Sequence, residues 1–146
     1  MKSDNYIRLE LPSRSSNEAV ARGVVAAFAA QLDPTLEELG DIKTAVSEAV
    51  TNCIVHAYPD RIGIIILQCQ IVQDTLEIVV RDRGRGIENL EQARRPLFTT
   101  GGAERSGMGF TVMESFMDRV EVISQPGRGT TVRMTKQIEQ VKAAVG

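Results

Sequence analysis

The spacing of apolar residues along the chain predicts both strands and helices. Apolar residues that alternate with polar ones are typical of strands, and apolar residues at steps of three and four are typical of helices. The run Ile64–Leu67 is apolar without alternation, which indicates a strand covered on both faces. The predicted strands are Tyr6–Leu11, Ile62–Val72, Leu76–Asp82, Val120–Ser124 and Thr130–Gln137.

The strongest helical pattern lies between Asp33 and Ala57. Asp33-Pro34 is typical of a helix start, and an apolar stripe follows from Ile42 to Ile54. A pause is predicted near Gly40-Asp41, after which the helix resumes to Ala57. Two further helices are predicted, one from the candidate N-caps Ser15, Ser16 and Asn17 to about Gln31, and one at Gly109–Met117.

Between these elements, the segment Arg83–Met108 is rich in glycine, arginine, threonine and other polar residues. It is predicted to be a long functional loop with one helical turn near Leu90–Arg94. The last residues, Ile138–Gly146, are predicted to form a frayed helical tail. The whole pattern predicts a single α+β domain over residues 1–146, with helices covering one face of a mixed, mostly antiparallel sheet.

Composition narrows the functional classes. Hydrophobic residues make up 42% and charged residues 25% of 146, which is typical of a folded domain. With 17 Lys+Arg against 19 Asp+Glu, the formal charge is −2, and aromatic residues are only 4%, so nucleic-acid binding is not expected. The two cysteines and one histidine argue against a disulfide framework or a His/Cys metal site. No signal peptide or membrane span is predicted, and a cytoplasmic protein is expected.

Three polar residues, Glu48, Asn52 and His56, follow the apolar stripe at four-residue steps. On a helix this spacing aligns them along one edge of the stripe. An asparagine oxygen suits a hard cation such as Mg²⁺, and a glutamate can accept a proton from a nucleophile. A solvated helix edge that ends in a histidine explains the same spacing when it is taken alone.

A glycine-containing turn, Asp82–Gly86, directly follows a predicted strand. Asp82 can accept a hydrogen bond from an exocyclic amine, and Gly84 and Gly86 allow a ligand to approach the backbone closely. Arg83 and Arg85 either help to hold phosphate or face water. A plain turn remains the alternative for this segment.

A second glycine-rich segment, Phe98–Phe110, leads into the third predicted helix. Backbone N–H groups at a helix N-terminus form an anion site, and Arg105 can reach a terminal phosphate. Glycines at both ends of the segment suit a lid that closes on a ligand. A surface loop is the alternative for this segment. Another glycine-containing motif, Gly127–Thr131, is typical of an ordinary hairpin turn when it is taken alone.

The order of these motifs is more specific than any one of them. It resembles the N, G1, G2 and G3 boxes of the gyrase, heat-shock-chaperone, histidine-kinase and mismatch-repair ATPase superfamily. The boxes are matched by Glu48…Asn52, Asp82-x-Gly84-x-Gly86, Gly107-x-Gly109 and Gly129-Thr130. Local stretches are also similar to the sporulation anti-sigma-F factor family, namely Leu32–Thr35, Val46–Asn52, Pro96–Thr100 and Glu104–Thr111. The resemblance spans about Tyr6–Lys136 and implies the Bergerat fold, with ATP held between helices and a lid.

The resemblance implies a role for each motif residue. Glu48 is implied as the general base for a protein serine, Asn52 as the Mg²⁺ ligand, and Asp82 as the acceptor for the adenine amine. Arg105 is implied as a catalytic lid residue. His56 either contacts phosphate or closes the helix. The other residues implied in cofactor binding are Gly84, Gly86, Thr99, Thr100, Ser106, Gly107, Met108, Gly109, Phe110 and Thr130.

One departure from the family pattern lies in the implied lid. Gly101-Gly102 stands where a lysine-proline pair is expected, and the segment is slightly short. A phosphate contact from a lid lysine is therefore not expected in this chain.

The family implies a serine kinase that converts ATP to ADP and also sequesters a sigma factor. The implied partners are a sporulation sigma factor, an anti-anti-sigma protein whose serine accepts the phosphate, and a second copy of the chain. Glu18 and Arg22 lie one helical turn apart and form either part of a partner face or an ordinary ion pair. Val24–Ala30 and Tyr6–Leu11 are candidates for a dimer interface.

Three alternatives stay open from the sequence. They are a stress-response anti-sigma kinase with another sigma partner, a nucleotide-gated sequestering module without catalysis, and the catalytic fragment of a sensor kinase.

Overall fold

A computed structural model describes residues 3–86 and 104–138, without the side chains of residues 104–108. In this part of the chain, helices lie on one face of a five-stranded sheet. A 3₁₀ turn, Ala30–Leu32, follows the first helix, and a π-helical turn, Cys53–Ala57, follows the second. The strands are β1 Asn5–Pro12, β2 Ile64–Val72, β3 Thr75–Asp82, β4 Arg119–Gln125 and β5 Gly129–Gln137, and the helices are α1 Ser16–Ala29, α2 Leu36–Asn52 and α3 Glu104–Phe116.

The sheet has the order β1-β2-β3-β5-β4, and every pairing between its described strands is antiparallel. The predicted α+β class is confirmed, whereas the parallel component of a mixed sheet is not found. The reason is topological, because β4 lies at the far edge and its hairpin partner β5 enters between β4 and β3. The two longer connections, through α1–α2 and through α3, carry the helices onto one face.

The core lies between the inner face of the sheet and the helices. It is built from alternate strand residues such as Ile65, Leu67 and Ile78 and from the apolar stripe of α2. The outer face of β2 is covered only in part, since Ile66 is 6% exposed but Ile64 is 46% exposed. Ile66 is flanked in register by Glu10 and Arg81, whose long side chains can shield it. The prediction of two covered faces therefore holds in the middle of β2 and fails at its end.

Helix α2 begins with a capping box. Thr35 Oγ1 accepts a hydrogen bond from the Glu38 N–H (3.0 Å), and Glu38 Oε1 accepts one from the Thr35 N–H (2.8 Å). The predicted pause at Gly40-Asp41 is absent, and the helix runs on to Asn52. One interior glycine costs only about 1 kcal/mol of helix stability, which the packing of the following apolar stripe outweighs.

The other element boundaries differ from prediction at two places. Helix α3 begins at Glu104, five residues before the predicted start, so Arg105–Met108 are helical rather than part of the loop. Ile138 is not the start of a frayed tail, because it is fully buried and its N–H donates to the Asp74 carbonyl (2.8 Å). The helical turn predicted near Leu90–Arg94 and the tail after Ile138 lie outside the described residues.

Thr35→Ala is expected to lower the free energy of unfolding by about 1 kcal/mol, because it removes the side chain that caps α2. Ser15→Ala is the matched control, since Ser15 stands at the N-cap of α1 but makes no side-chain capping hydrogen bond. Its expected effect is close to zero. Urea denaturation of both variants measures the difference, and equal losses would show that the capping box contributes nothing.

Candidate functional site

A cleft opens where the C-terminal end of α2 faces β3, β5 and α3. It brings together polar residues from segments far apart in the sequence, and its floor is apolar. It is lined by Ala49, Asn52, Cys53, His56, Ala57, Asp82, Gly86, Phe110, Thr130 and Val132. Six of these residues were assigned to nucleotide binding from the sequence, namely Asn52, His56, Asp82, Gly86, Phe110 and Thr130.

At one end of the cleft, α3 passes directly over the polar edge of α2. A Cβ atom built on Gly109 would lie 3.2 Å from Glu48 Oε1 and 3.4 Å from both amide atoms of Asn52. A methyl group at position 109 would therefore press on Glu48 Oε1 and meet the Asn52 amide at ordinary contact distance. The structure thus places the glycine of the third motif against the glutamate and the asparagine of the first.

The amide of Asn52 is not committed to the protein. Its Nδ2 atom is buried and has no hydrogen-bond partner among the described residues. A buried polar group without a partner is costly in a finished fold and common where a ligand completes the site. Glu48 is half-buried on the preceding turn of the same helix.

The predicted line of Glu48, Asn52 and His56 is interrupted by the π-helical turn. Helix α2 ends at Asn52 rather than at Ala57, and the Tyr58 N–H donates to the Cys53 carbonyl five residues before it (3.2 Å). The wider turn changes the direction of His56 relative to an α-helix. His56 still lines the cleft, together with Asn52.

Asp82 ends β3 and is 6% exposed. Its Oδ1 atom accepts hydrogen bonds from the N–H groups of Gly84 (2.9 Å) and Thr130 (3.2 Å), and its Oδ2 atom accepts one from the Cys53 thiol (3.6 Å). Burial raises the pKa of the Asp82 carboxyl, and the hydrogen bonds from Gly84, Cys53 and Thr130 oppose the rise. The result is a buried acceptor that faces the cleft.

The glycines around Asp82 permit close approaches within the protein itself. A Cβ atom on Gly84 would collide with the Ala57 carbonyl, and one on Gly129 would collide with the Asp82 carbonyl. Gly86 has a φ of +75°, and a Cβ atom there would collide with the Gln125 carbonyl. Arg83 and Arg85, between these glycines, are exposed. The turn after β3 is therefore packed tightly on both sides, whereas its contact with a ligand stays a prediction.

Three polar contacts of the site were not singled out from the sequence. Cys53 looked like one more apolar position of the helical stripe, although its thiol bonds to Asp82. Ser124 Oγ lies 2.7 Å from Thr130 Oγ1, and the Tyr58 hydroxyl donates to the Ile64 carbonyl (2.8 Å) and accepts from the Arg83 N–H (2.7 Å). The Cys53–Asp82 and Tyr58–Arg83 contacts join residues 29 and 25 positions apart, which leaves no signal in local spacing, whereas Ser124 and Thr130 face each other across one hairpin.

Some predicted site residues cannot be placed in this geometry. Thr99 and Thr100 lie outside the described residues. Arg105, Ser106, Gly107 and Met108 have a described helical backbone in α3, but their side chains lie outside the described part. Phe110, which follows them, is 1% exposed and forms part of the cleft floor.

Known proteins resemble this chain over most of its length. The family model described as histidine kinase-like ATPase domain matches residues 11–136. A protein named anti-sigma F factor from Caldanaerobacter subterraneus subsp. tengcongensis is 60% identical over 139 residues, which are 94% of this chain and 97% of the relative. A protein of the same name from Clostridium perfringens is 56% identical, over 92% of this chain and 98% of the relative.

The chain belongs to the anti-sigma F factor family. Its histidine kinase-like ATPase domain extends from β1 to β5, so it contains every element that lines the cleft. Membership confirms the resemblance inferred from the ordered motifs and agrees with ATP as the ligand of the domain. None of the helices in the described part of the chain is long and apolar enough to span a membrane.

Two solved structures share the fold of this anti-sigma F factor family member. The RsbU and RsbW domains of Rv1364c from Mycobacterium tuberculosis match with a TM-score of 0.68 and 18% identity, over 92% of this chain and 32% of that one. The blue-light activated histidine kinase EL346 from Erythrobacter litoralis matches with a TM-score of 0.57 and 24% identity, over 83% and 42%. At such identities the likeness concerns the fold alone.

Asp82→Asn is expected to stabilise the nucleotide-free protein at neutral pH while weakening ATP binding. Burial raises the pKa of Asp82 in the folded state, so the wild type loses stability as the pH rises from the ordinary aspartate value through the raised one. The asparagine variant does not titrate and is spared this loss. Thermal unfolding of both proteins from pH 3 to 7 measures this loss of stability. A stability difference between them that does not grow with pH would contradict the raised pKa of Asp82.

Gly109→Ala is expected to reduce ATP turnover severalfold, because the added methyl group would shift the Glu48 carboxylate by a few tenths of an ångström. Gly40→Ala is the matched control, since that glycine lies inside α2 with nothing within 4 Å. It is expected to keep full activity and to gain up to about 1 kcal/mol of stability. Steady-state ATP turnover tests both variants, and an unaffected Gly109→Ala protein would disprove the close packing.

Proposed function

We propose that this chain is a protein serine kinase that uses Mg²⁺-ATP and also binds a sigma factor, sigma F by the name of its relatives. In this proposal the phosphate passes to a serine of an anti-anti-sigma protein, and ADP is the product. The observation that carries the proposal is that Asn52 and the buried acceptor Asp82 line one cleft, while Glu48 and Gly109 lie beside Asn52. In this proposal the adenine lies at Asp82 and the phosphates lie near Asn52.

Glu48 is proposed as the general base. It accepts the proton of the serine hydroxyl as the serine oxygen attacks the γ-phosphorus; the new O–P bond forms and the bond from that phosphorus to ADP breaks. Phosphoryl transfer depends mainly on positioning and on charge stabilisation, and the chain supplies the first through the close packing of α3 on α2. Arg105, at the start of α3, is proposed to face the transferred phosphate.

Asn52 is proposed as the protein ligand of Mg²⁺. The side-chain amide is buried and its Nδ2 atom has no partner among the described residues, so the amide is free to turn its oxygen toward a ligand. Mg²⁺ takes oxygen ligands and commonly keeps one or two from the protein alongside phosphate and water. When bound, the ion neutralises phosphate charge. Thr130, His56 and the backbone of Ser106–Phe110 are proposed to contact the nucleotide, as are Gly84 and Gly86.

Helix α1 is proposed as part of the partner surface. Arg22 Nη1 pairs with Glu18 Oε2 (2.9 Å), and the same oxygen accepts a hydrogen bond from Ser47 Oγ (2.6 Å). The ion pair considered from the sequence is therefore present, and it is anchored to the residue before Glu48. About 40% of the Arg22 side chain stays exposed, which leaves it accessible to a partner.

A homodimer is proposed, with β1 at its interface. Strand β1 is an edge of the described sheet, and Tyr6 on it is 70% exposed. The alternative interface at Val24–Ala30 is disfavoured, because Val25, Phe28 and Ala29 are buried in the core of the single chain.

Glu48→Gln is expected to lower phosphate transfer by 10²- to 10⁴-fold while leaving ATP binding nearly unchanged, since the amide keeps the shape but cannot accept the proton. The assay uses γ-labelled ATP, Mg²⁺ and an anti-anti-sigma protein as acceptor. Glu37→Gln is the control, because Glu37 is an exposed glutamate in the first turn of the same helix. Acid-stable label on the acceptor, lost only in the Glu48 variant, is the expected result.

The other outcomes distinguish the alternatives. Label that is acid-labile would indicate transfer to histidine and a sensor-kinase activity. ATP binding without transfer would indicate a nucleotide-gated sequestering module. Transfer with normal rates in Glu48→Gln would remove Glu48 as the base, and capture of a stress-response sigma factor instead of sigma F would change the partner.

A further inference from the structure

The two oxygens of the Asp82 carboxylate are held differently. Oδ1 accepts two backbone hydrogen bonds, from Gly84 (2.9 Å) and Thr130 (3.2 Å). Among the described residues, the donor to Oδ2 is the thiol of Cys53 (3.6 Å). A carboxylate offers about four acceptor positions, two on each oxygen. Three are occupied by the protein, so one position on Oδ2 remains for a ligand.

Cys53 is placed to control this last position. It is 3% exposed, lines the cleft beside Asp82, and is the first residue of the π-helical turn that follows Asn52. The thiol hydrogen is the donor in the contact with Asp82 Oδ2, because a carboxylate oxygen accepts hydrogen bonds.

Backbone bonds to one oxygen alone do not determine the plane of a carboxylate. The terminal torsion of an aspartate is broad and roughly twofold, so the group can turn about the bond to its carboxyl carbon. A donor at the second oxygen removes this freedom. With both oxygens engaged, the free acceptor position has one direction.

We propose that Cys53 is a positioning residue that orients the Asp82 carboxylate and thereby gives the site its preference for a purine with a 6-amino group. The proposal rests on the proposed function, in which Asp82 accepts a hydrogen bond from that amine. Cys53 acts through Asp82 and does not contact the transferred phosphate.

The test compares ATP with purine riboside triphosphate, which has hydrogen in place of the 6-amino group. Dissociation constants are measured for the wild type, Cys53→Ala, Cys53→Ser and Cys53→Val. Serine restores a donor, whereas valine fills the space without one and serves if the alanine variant does not fold. Cys69→Ala is the matched control, because Cys69 is 1% exposed, its thiol is also protonated with a pKa raised by burial to about 12, and it lies on β2 away from Asp82.

The wild type is expected to prefer ATP over the analogue. Cys53→Ala and Cys53→Val should reduce this preference by about three- to tenfold, because ATP binding weakens more than binding of the analogue. Cys53→Ser should restore most of the preference, and Cys69→Ala should keep all of it. In ¹³C-labelled protein, loss of the thiol donor should also raise the pH at which Asp82 titrates.

Two results would overturn the proposal. One is an unchanged preference in both Cys53→Ala and Cys53→Val. The other is an equal loss of affinity for the two nucleotides, which would indicate that Cys53 only packs the cleft floor. If the wild type bound neither nucleotide, the proposed function itself would fail, and this outcome is distinct because it appears before any variant is compared.

Discussion

The arrangement of the site depends on one buried carboxylate. Asp82 sits at the end of β3, almost without solvent, and it is satisfied only because three separate segments bring donors to it. Gly84 comes from the following turn, Thr130 from the neighbouring strand and Cys53 from the end of α2. Burying a charge without such partners would be prohibitive, so the hydrogen bonds hold the three segments together.

Close backbone approaches make these hydrogen bonds possible. Gly84 lies against the carbonyl of Ala57, and Gly129 lies against the carbonyl of Asp82 itself. A side chain at either position would separate β3 from its neighbours and lengthen the contacts to the carboxylate. The same principle operates at the other end of the cleft, where Gly109 lets α3 approach Glu48 and Asn52. The glycines thus set the width of the cleft as well as the path of the chain.

Helix α2 connects this local geometry to the rest of the domain. It is started by a capping box at Thr35, held by an apolar stripe in the core, and ended by a π-helical turn that carries Cys53 and His56. Ser47 ties it to the ion pair of α1. A single helix therefore joins the proposed partner surface, the proposed base and the acceptor at Asp82.

Local pattern was sufficient for the α+β class, for all five strands to within about two residues, and for the family, because alternation, the helical stripe and the order of the motifs are properties of short segments. It also selected Glu48, Asn52 and Asp82. It was wrong about the break at Gly40 and about the start of α3, since helix packing outweighs a glycine and no cap signal marks Glu104. The contact of Cys53 with Asp82, the β1–β2 and β3–β5 pairings of the sheet and the packing of Gly109 on Glu48 were decided by tertiary structure, because each joins residues at least 29 positions apart.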